Sequence, residues 1–445
     1  SLNMAFVPIF TQVRQHQGEE RAFLLARSVF FWMLSILLAI SCLALLGADY
    51  LTWLIAPGFQ DDPQLFAHTV LLVRICFPYI IFISGVALCM GILNSLGHFF
   101  APAIAPCLLN TILIVSALLG IWIDASVGIF MAVGVLLSGI AQWWLQQPYL
   151  WKKGFYWFGE WSLRMPELKR MGRMFLPAVG GAAVYQLNIL VVTILASYLA
   201  SGSISYLYYA DRLVQLPLGV FGIALGTAAL PSLSSLISEQ QNAKFKATLK
   251  DAIYLNLFIS LPAAAGLIGL GGPIVQVLFG RGAFDMHSVG ATHLALVGYS
   301  LGLPALCCIR SLMPAFYAFE DAQTPVWIAV VCLLVNISSA LLLMQEFLHV
   351  GLALAVSLAG WVNFLLLGLG MRRKMGSWFS WEKKIPVLLL LSLCIGLGSW
   401  YTSSWGGLSV ALIPLWAIAY LYAAKLMRVK EADMILGVVN KLFKR

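Results

Sequence analysis

Long apolar segments, separated by short polar turns, are the feature that most constrains the fold of this chain. Of its 445 residues, 61% are hydrophobic and 10% are charged, whereas a soluble domain carries about 25% charged residues. So few charges cannot cover the surfaces of two or three soluble domains. Because backbone groups must be hydrogen-bonded inside lipid, such segments cross a membrane as helices. We therefore predict an all-α polytopic membrane protein and exclude most soluble-enzyme folds.

Twelve segments are long and apolar enough to cross a bilayer, which takes about 20 helical residues. The spans are predicted at residues 23–47, 66–96, 102–123, 126–147, 174–199, 206–237, 252–279, 291–318, 325–345, 350–371, 385–401 and 408–425. Several are longer than a bilayer requires, which indicates tilting or kinking. The kinks are predicted at Pro78, Pro217 and Pro304.

The basic residues lie mainly on one side of these spans. That side carries 23 of the 27 lysines and arginines, whereas the other side carries Arg281 and six acids. Because cytoplasmic loops are enriched in lysine and arginine, we predict that both visible ends of the chain lie in the cytoplasm. The net charge of +9 then comes from basic loops that orient the protein in the membrane and attract anionic lipids. We predict no nucleic-acid partner, because no basic module lies outside the membrane.

Two parts of the chain match at an offset of 223 residues. AFVPIF at 5–10 is similar to AALPSL at 228–233, and residues 93–102 align with residues 316–325. Such an internal duplication is typical of transporters, whose substrate path lies between the repeats. From the repeat, we expect Ser1 to be the broken edge of a longer chain whose first two helices are largely missing. A short re-entrant or interfacial start is the alternative.

A few charged residues remain inside the predicted spans, namely Arg74, Asp211, Arg212 and Arg310. Each costs at least about 2.5 kcal/mol at the bilayer centre, so such residues face a watery cavity, a partner or the headgroups. Residues 208, 211, 212 and 215 share one helical face, which presents the polar groups of Tyr208, Asp211, Arg212 and Gln215. We predict that the forked guanidinium of Arg212 binds an anion such as a pyrophosphate. A structural tether between helices is the alternative.

Arg74 and Arg310 are secondary candidates for the same anion. Arg74 lies four residues before Pro78, and Arg310 lies between Pro304 and Pro314. For both residues the alternative is snorkelling, in which the charge reaches the headgroup region along its aliphatic stem. For the other polar residues within spans we predict hydrogen bonds between helices; they are Gln186, Asn188 and Asn363.

No pattern typical of catalysis accompanies the spans. The six histidines are scattered, and the chain has no HExxH, GxSxG or Walker A motif, which are signatures of common catalytic sites. The eight cysteines have neither CxxC spacing nor a histidine at ligand spacing, so they do not predict a metal site. We therefore predict that the protein is not an enzyme and has no catalytic residues, metal or cofactor.

Seven motifs occur in a fixed order: AFVPIF, APGF (56–59), FPYIIFISG (77–85), ILNSLGHFFAPAIAPCLLN (92–110), SGSISYLYYADRL (201–213), ALGTAALPSLS (224–234) and FYAFEDAQTP (316–325). Together they resemble the MurJ (MviN) family, the lipid II flippases of bacterial cell-wall synthesis. This family belongs to the MOP superfamily, as do the MATE transporters. The resemblance extends from Ala5 to the last span.

The resemblance implies a MOP-type inverted V of two pseudo-symmetric six-helix lobes, followed by two further helices. Residues 1–150 would be the rest of the N-terminal lobe, and residues 151–375 the C-terminal lobe. Residues 376–445 would form a groove for a lipid tail and a basic cytoplasmic tail. About twelve of an intact set of fourteen helices would then be present.

The implied activity is transfer of lipid II, an undecaprenyl-pyrophosphate carrying a disaccharide-pentapeptide, from the cytoplasmic to the periplasmic leaflet. Alternating access through a cationic central cavity would carry it across, driven by membrane potential or a cation gradient. Arg212 matches the family's cavity arginine in YYADRL, whereas Gln215 stands where some relatives carry an acid. Arg74 and Arg310 match positions where relatives carry a basic residue. Membrane lipids and cell-wall synthesis and division proteins are the implied partners.

Two alternatives remain. The first is another MOP exporter, which would carry a polysaccharide lipid or a drug. Exporters of cationic drugs favour acidic cavities, whereas this chain has three arginines and one acid within its spans. The second is a membrane scaffold for cell-wall synthesis that transports nothing.

Overall fold

The computed structural model describes residues 2–162, 164–223, 233, 235–237, 239, 241–319, 321, 323–379 and 384–443. All regular elements within these ranges are helical, as predicted. The ALGTAALPSLS motif lies outside the described residues except for Leu233. The chain divides into two units, Ser1–Leu187 and Asn188–Arg445.

The first unit is built from seven helices and the beginning of an eighth. They are α1 (Leu2–Gln17), α2 (Glu19–Leu46), α3 (Ala48–Ile55), α4 (Pro63–Cys76), α5 (Tyr79–Ser95), α6 (Phe100–Trp122), α7 (Val127–Lys152) and α8 (Pro166–Ser197). A core of fully buried side chains joins α1, α2 and α5, with Phe10, Leu25 and Ile92 among its members.

Within the described ranges, the second unit contains the rest of α8 and further helices. They are α9 (Ser203–Pro217), α10 (Asn242–Phe279), α11 (Met286–Ser300), α12 (Leu303–Ala318), α13 (Gln323–Met375), α14 (Lys384–Ser403), α15 (Gly407–Ala411), α16 (Ile413–Leu426) and α17 (Lys430–Phe443). Helix α13 is two helices joined at Leu348, whose φ of 50° is not helical. The last predicted spans pack within this unit, where the Tyr420 hydroxyl donates to the Phe258 carbonyl at 2.8 Å.

The loop after α7 packs with the first unit, whereas the predicted lobe boundary assigned residues 151–165 to the second lobe. Phe155 and Trp157 lie in the core of the first unit. The Trp157 indole donates to the Gln147 side chain at 2.5 Å, and Arg27 donates to the Glu160 carbonyl at 2.9 Å. The division between the two units follows Leu187, inside α8, and the predicted lobe boundaries stay a prediction.

The predicted duplication is confirmed by the bounds of the helices. Helices α2, α4 and α6 begin 223 residues before α10, α11 and α13. Helices α5 and α7 end 223 residues before α12 and α13 end. Because starts and ends share one offset, each unit repeats the same succession of helices over these residues.

The predicted spans lie mainly on helical residues wherever the chain is described. Seven helices of the described chain are long and apolar enough to cross a membrane, or eight if α11 and α12 form one bent span. The predicted count of twelve stays a prediction. Helix breaks occur at the predicted prolines: α4 and α5 are separated at Pro78, and α9 passes into a π-helical turn after Pro217. Helices α11 and α12 bend by 43° beside Pro304.

The turn between α5 and α6 and its repeat between α12 and α13 are stabilised by different contacts. Asp321, between α12 and α13, accepts a hydrogen bond from the Thr324 backbone at 3.0 Å and pairs with Lys374 Nζ at 2.8 Å. At the repeat offset its position is taken by His98, whose ring stacks on Tyr149 with centroids 4.6 Å apart. In the second unit an ion pair thus connects the turn to the end of α13. In the first unit aromatic stacking connects the corresponding turn to the end of α7.

The Asp321 contacts predict a pH-dependent contribution to stability. The hydrogen bond from Lys374, and then those from Thr324, lower the pKa of Asp321 to about 2, below the value of about 3.9 in an unfolded chain. The contribution is therefore complete above about pH 4 and is lost as the pH falls from about 4 towards 2. Asp321→Asn keeps an acceptor for Thr324 but removes the ion pair with Lys374, so it should lower the unfolding free energy by about 1 kcal/mol or less at pH 7.

Thermal unfolding of the purified protein across this pH range tests the prediction. Asp433→Asn is the matched control, because it removes an exposed carboxylate and should not change the unfolding temperature. A difference between wild type and Asp321→Asn that persists unchanged down to pH 2 would contradict the ionic origin of the effect.

Candidate anion-binding site

Helix α9 has one apolar and one polar face. Leu207, Ala210 and Val214 recur at helical spacing and are buried in a core cluster of the second unit. The polar side chains of the motif lie on the opposite side, where Tyr208 is 54% exposed and Arg212 is also exposed. Burial of the apolar face therefore directs the predicted polar set away from the core.

The start of α9 is shaped by glycine. Gly202 precedes the helix with φ 94°, a left-handed conformation that other residues rarely adopt. A Cβ at this position would lie 2.7 Å from the Tyr206 hydroxyl. The SGS sequence thus allows the turn before α9 to close tightly, which sets where the polar face begins.

Gln215 links the two charged residues of this face. Arg212 Nη1 donates to Gln215 Oε1 at 3.4 Å, and Gln215 Nε2 donates to Asp211 Oδ2. The amide has one acceptor and two donors, so it can satisfy the guanidinium and the carboxylate together. The structure therefore brings Asp211, Arg212 and Gln215 into one network, as the shared face predicted.

Tyr208 completes this arrangement. Arg212 Cζ lies 4.7 Å from the centroid of its ring, within cation–π distance. A guanidinium carries five N–H donors, and the described hydrogen bond uses one of its nitrogens. An exposed guanidinium supported by a ring and an amide suits the bidentate binding of a phosphate group.

Arg310 lies on α12 beside the π-helical turn that follows α9. A Cβ built at Gly222 in this turn would lie 3.5 Å from Arg310 Cγ, so the arginine stem packs in van der Waals contact with the turn. Ten residues separate Gly222 from Arg212, which corresponds to about 15 Å of helix. Arg310 therefore lies near Gly222 and not beside Arg212. π-helical turns occur frequently at functional sites.

Arg74 belongs to the first unit and has a local partner. Its Nη2 lies 2.9 Å from Asp49 Oδ2, and both side chains are largely exposed. The pair joins α3 to α4, which the sequence did not predict because the two residues are 25 positions apart. The role of Arg74 in binding an anion stays a prediction.

Asn188 forms a hydrogen bond between helices, as predicted, whereas the same expectation for Gln186 and Asn363 stays a prediction. Asn336 Nδ2 donates to Asn188 Oδ1 at 2.7 Å, and Asn256 Nδ2 donates to Ser311 Oγ at 2.8 Å. Asn256 and Asn336 are buried and were missed in the sequence. An asparagine within an apolar run was the signal that would have found them.

Comparison with known proteins identifies the family. The family model described as lipid II flippase MurJ matches residues 1–417. The chain belongs to the MurJ family. A probable lipid II flippase MurJ of Rhizobium meliloti is 38% identical over 373 residues, covering 82% of this chain and 69% of that protein. A probable lipid II flippase MurJ of Haemophilus influenzae is 30% identical over 460 residues, covering 99% and 90%.

Solved structures confirm the fold class. A lipid II flippase MurJ in an inward closed conformation matches with a TM-score of 0.81 at 25% identity, covering 98% of this chain and 90% of that one. An inward-facing multidrug resistance MATE family transporter of the MOP superfamily matches with a TM-score of 0.73 at 16% identity, covering 85% and 86%. The fold is therefore that of the MOP superfamily, as the family motifs implied.

The asparagine pair supports a prediction about stability. Hydrogen bonds between membrane helices contribute about 0.6 kcal/mol on average, so Asn188→Ala and Asn336→Ala should show a coupling of that size in a double-mutant cycle. The unfolding free energies of the purified variants measure it. The cycle of Asn188→Ala with Asn363→Ala is the control and should be additive. A cycle of Asn188 and Asn336 that is also additive would contradict the described bond.

Proposed function

We propose that this protein flips lipid II from the cytoplasmic to the periplasmic leaflet of the bacterial inner membrane. The match to the MurJ family over residues 1–417 supports the activity. The observation that carries the site is the exposed Arg212, held by Tyr208 and Gln215 on the polar face of α9. Alternating access and a binding role for Arg74 and Arg310 are parts of the same proposal.

The physical task explains why an arginine belongs on such a face. The pyrophosphate of lipid II carries negative charge, which is costly to move through hydrocarbon without compensation. A guanidinium stays protonated and offers paired donors to phosphate oxygens. Gln215 accepts a bond from one guanidinium nitrogen of Arg212 and donates to Asp211, so the other donors of the guanidinium remain for the substrate.

The same charges weigh against export of cationic drugs. An exporter of cations needs exposed carboxylates, whereas the acid of this face, Asp211, is half-buried and bonded to Gln215. The likeness to MATE transporters, at 16% identity, concerns the fold alone. An anionic lipid is thus the substrate that the described side chains favour.

Replacement of Arg212 tests the site. Loss of a hydrogen bond to a charged group costs about 1.5–3 kcal/mol, so Arg212→Ala should reduce lipid II transfer at least about tenfold. Arg212→Lys keeps the charge without the fork and should retain an intermediate rate. The appearance of lipid II in the periplasmic leaflet of cells that depend on the variant measures the effect.

Arg281→Ala is the matched control. Arg281 is exposed, and its described hydrogen bond goes to the carbonyl of Val277, in the last turn of the preceding helix α10. This variant should support normal transfer. Normal growth and transfer with Arg212→Ala would contradict the assigned site and favour a scaffold role. If depletion of the whole protein leaves lipid II in the periplasmic leaflet unchanged, the proposed function itself is wrong.

We also propose that membrane potential assists transfer. With the cytoplasm negative, outward movement of an anionic headgroup is favoured by about 2.3 kcal/mol per charge at 100 mV. Collapse of the electrical potential with valinomycin and external potassium should slow lipid II transfer, whereas collapse of the proton gradient alone with nigericin should not. The reverse pattern would instead support coupling to a proton gradient.

A further inference from the structure

A cavity of about 680 Å³ opens on the second unit at the ends of several helices. Its lining includes Lys246 and Lys250 from α10, Lys384 at the start of α14 and Lys430 at the start of α17. No residue of α9 lines it, so it is separate from the Arg212 face. We call it the lysine cavity.

Among the described residues, the lining of the lysine cavity is more basic than acidic. Its lining contains four lysines and two acids, Asp251 and Glu431. Glu431 is 5% exposed and pairs with Lys384 Nζ at 3.4 Å. Lys246 is partly buried and Lys430 is exposed. Lys246 and Lys430 place two further positive charges beside this ion pair, so the described lining favours an anionic ligand.

Packed aromatic residues form one wall. The Trp378 indole donates to the Gly368 carbonyl at 3.0 Å, and the Phe379 ring stacks on buried Tyr254 with centroids 5.5 Å apart. Lys384 Nζ lies 5.4 Å from the centroid of the same Tyr254 ring. Lys384 is therefore held between a carboxylate and a ring, and the cavity is lined by groups of the packed core.

The position along the helices indicates the source of the anion. Helix α14 begins at Lys384 and is apolar enough to cross a membrane, as is α10. The predicted span of α10 begins at residue 252, directly after Lys250 and Asp251. The lysine cavity thus lies at the level where spans meet water, which is the level of lipid headgroups. Basic pockets at the ends of membrane helices bind phosphate headgroups, and aromatic residues are enriched at this depth.

We propose that the lysine cavity binds the phosphate headgroup of an anionic membrane phospholipid. The ammonium groups of Lys246 and Lys430 contact the phosphate, while the Lys384–Glu431 pair forms the base of the site. The bound lipid is a component of the surrounding bilayer, and its site is independent of the proposed transfer of lipid II.

Native mass spectrometry of the purified chain with phosphatidylglycerol tests the proposal. Lys246→Gln/Lys430→Gln should weaken lipid binding by about 25-fold, since each lysine near an anionic headgroup contributes about fivefold. Lys152→Gln/Lys153→Gln is the matched control, because it removes two exposed lysines from the first unit. The control should bind as wild type does. Phosphatidylcholine should not be retained, and inorganic phosphate should not displace phosphatidylglycerol.

Lysine acetylation gives a second measurement on the wild-type chain. Phosphatidylglycerol should protect Lys246 and Lys430 from acetylation but leave Lys425 reactive. Equal binding by the wild type and the Lys246/Lys430 variant, or an equal loss in the control, would overturn the site. Displacement of the lipid by inorganic phosphate would overturn the proposal of a lipid ligand and indicate a soluble phosphate instead.

Discussion

The cost of leaving a polar group without a partner in lipid is the constraint on which this structure depends. It makes every described regular element a helix, because a helix satisfies its own backbone. It also explains the side chains: Asn336 bonds to Asn188, Arg74 pairs with Asp49 and Arg212 shares Gln215 with Asp211. Arg212 has further N–H donors besides the one that bonds to Gln215, and these donors suit a phosphate.

The duplication shows which features the fold requires and which can vary. Helix starts and ends keep one offset across the two units, since the length and order of helices determine how each unit packs. The contact that fastens the corresponding turns does not persist, because His98 stacks on Tyr149 where Asp321 pairs with Lys374. The same geometry is thus maintained by aromatic packing in one unit and by an ion pair in the other.

Positive charge serves several purposes in this chain, and position distinguishes them. Most lysines and arginines lie in the segments between spans, where they bias orientation. Four lysines from three helices line the lysine cavity, which suits a headgroup at the membrane boundary. Arg212 lies on a helix whose other face is buried, which suits an anion that must pass through the protein. Charge alone would not separate these roles.

The amino-acid sequence by itself determined the helical class, the positions of most spans, the repeat and the polar face of α9. These are local properties, because hydropathy and the spacing of residues 208, 211, 212 and 215 depend only on neighbours along one helix. The motifs also determined the family. Tertiary structure decided the rest: the packing of Phe155 into the first unit, the partner of Arg74 and the meeting of Lys246 with Lys430. Such contacts join residues far apart in the chain, and only the packing of helices against one another brings them together.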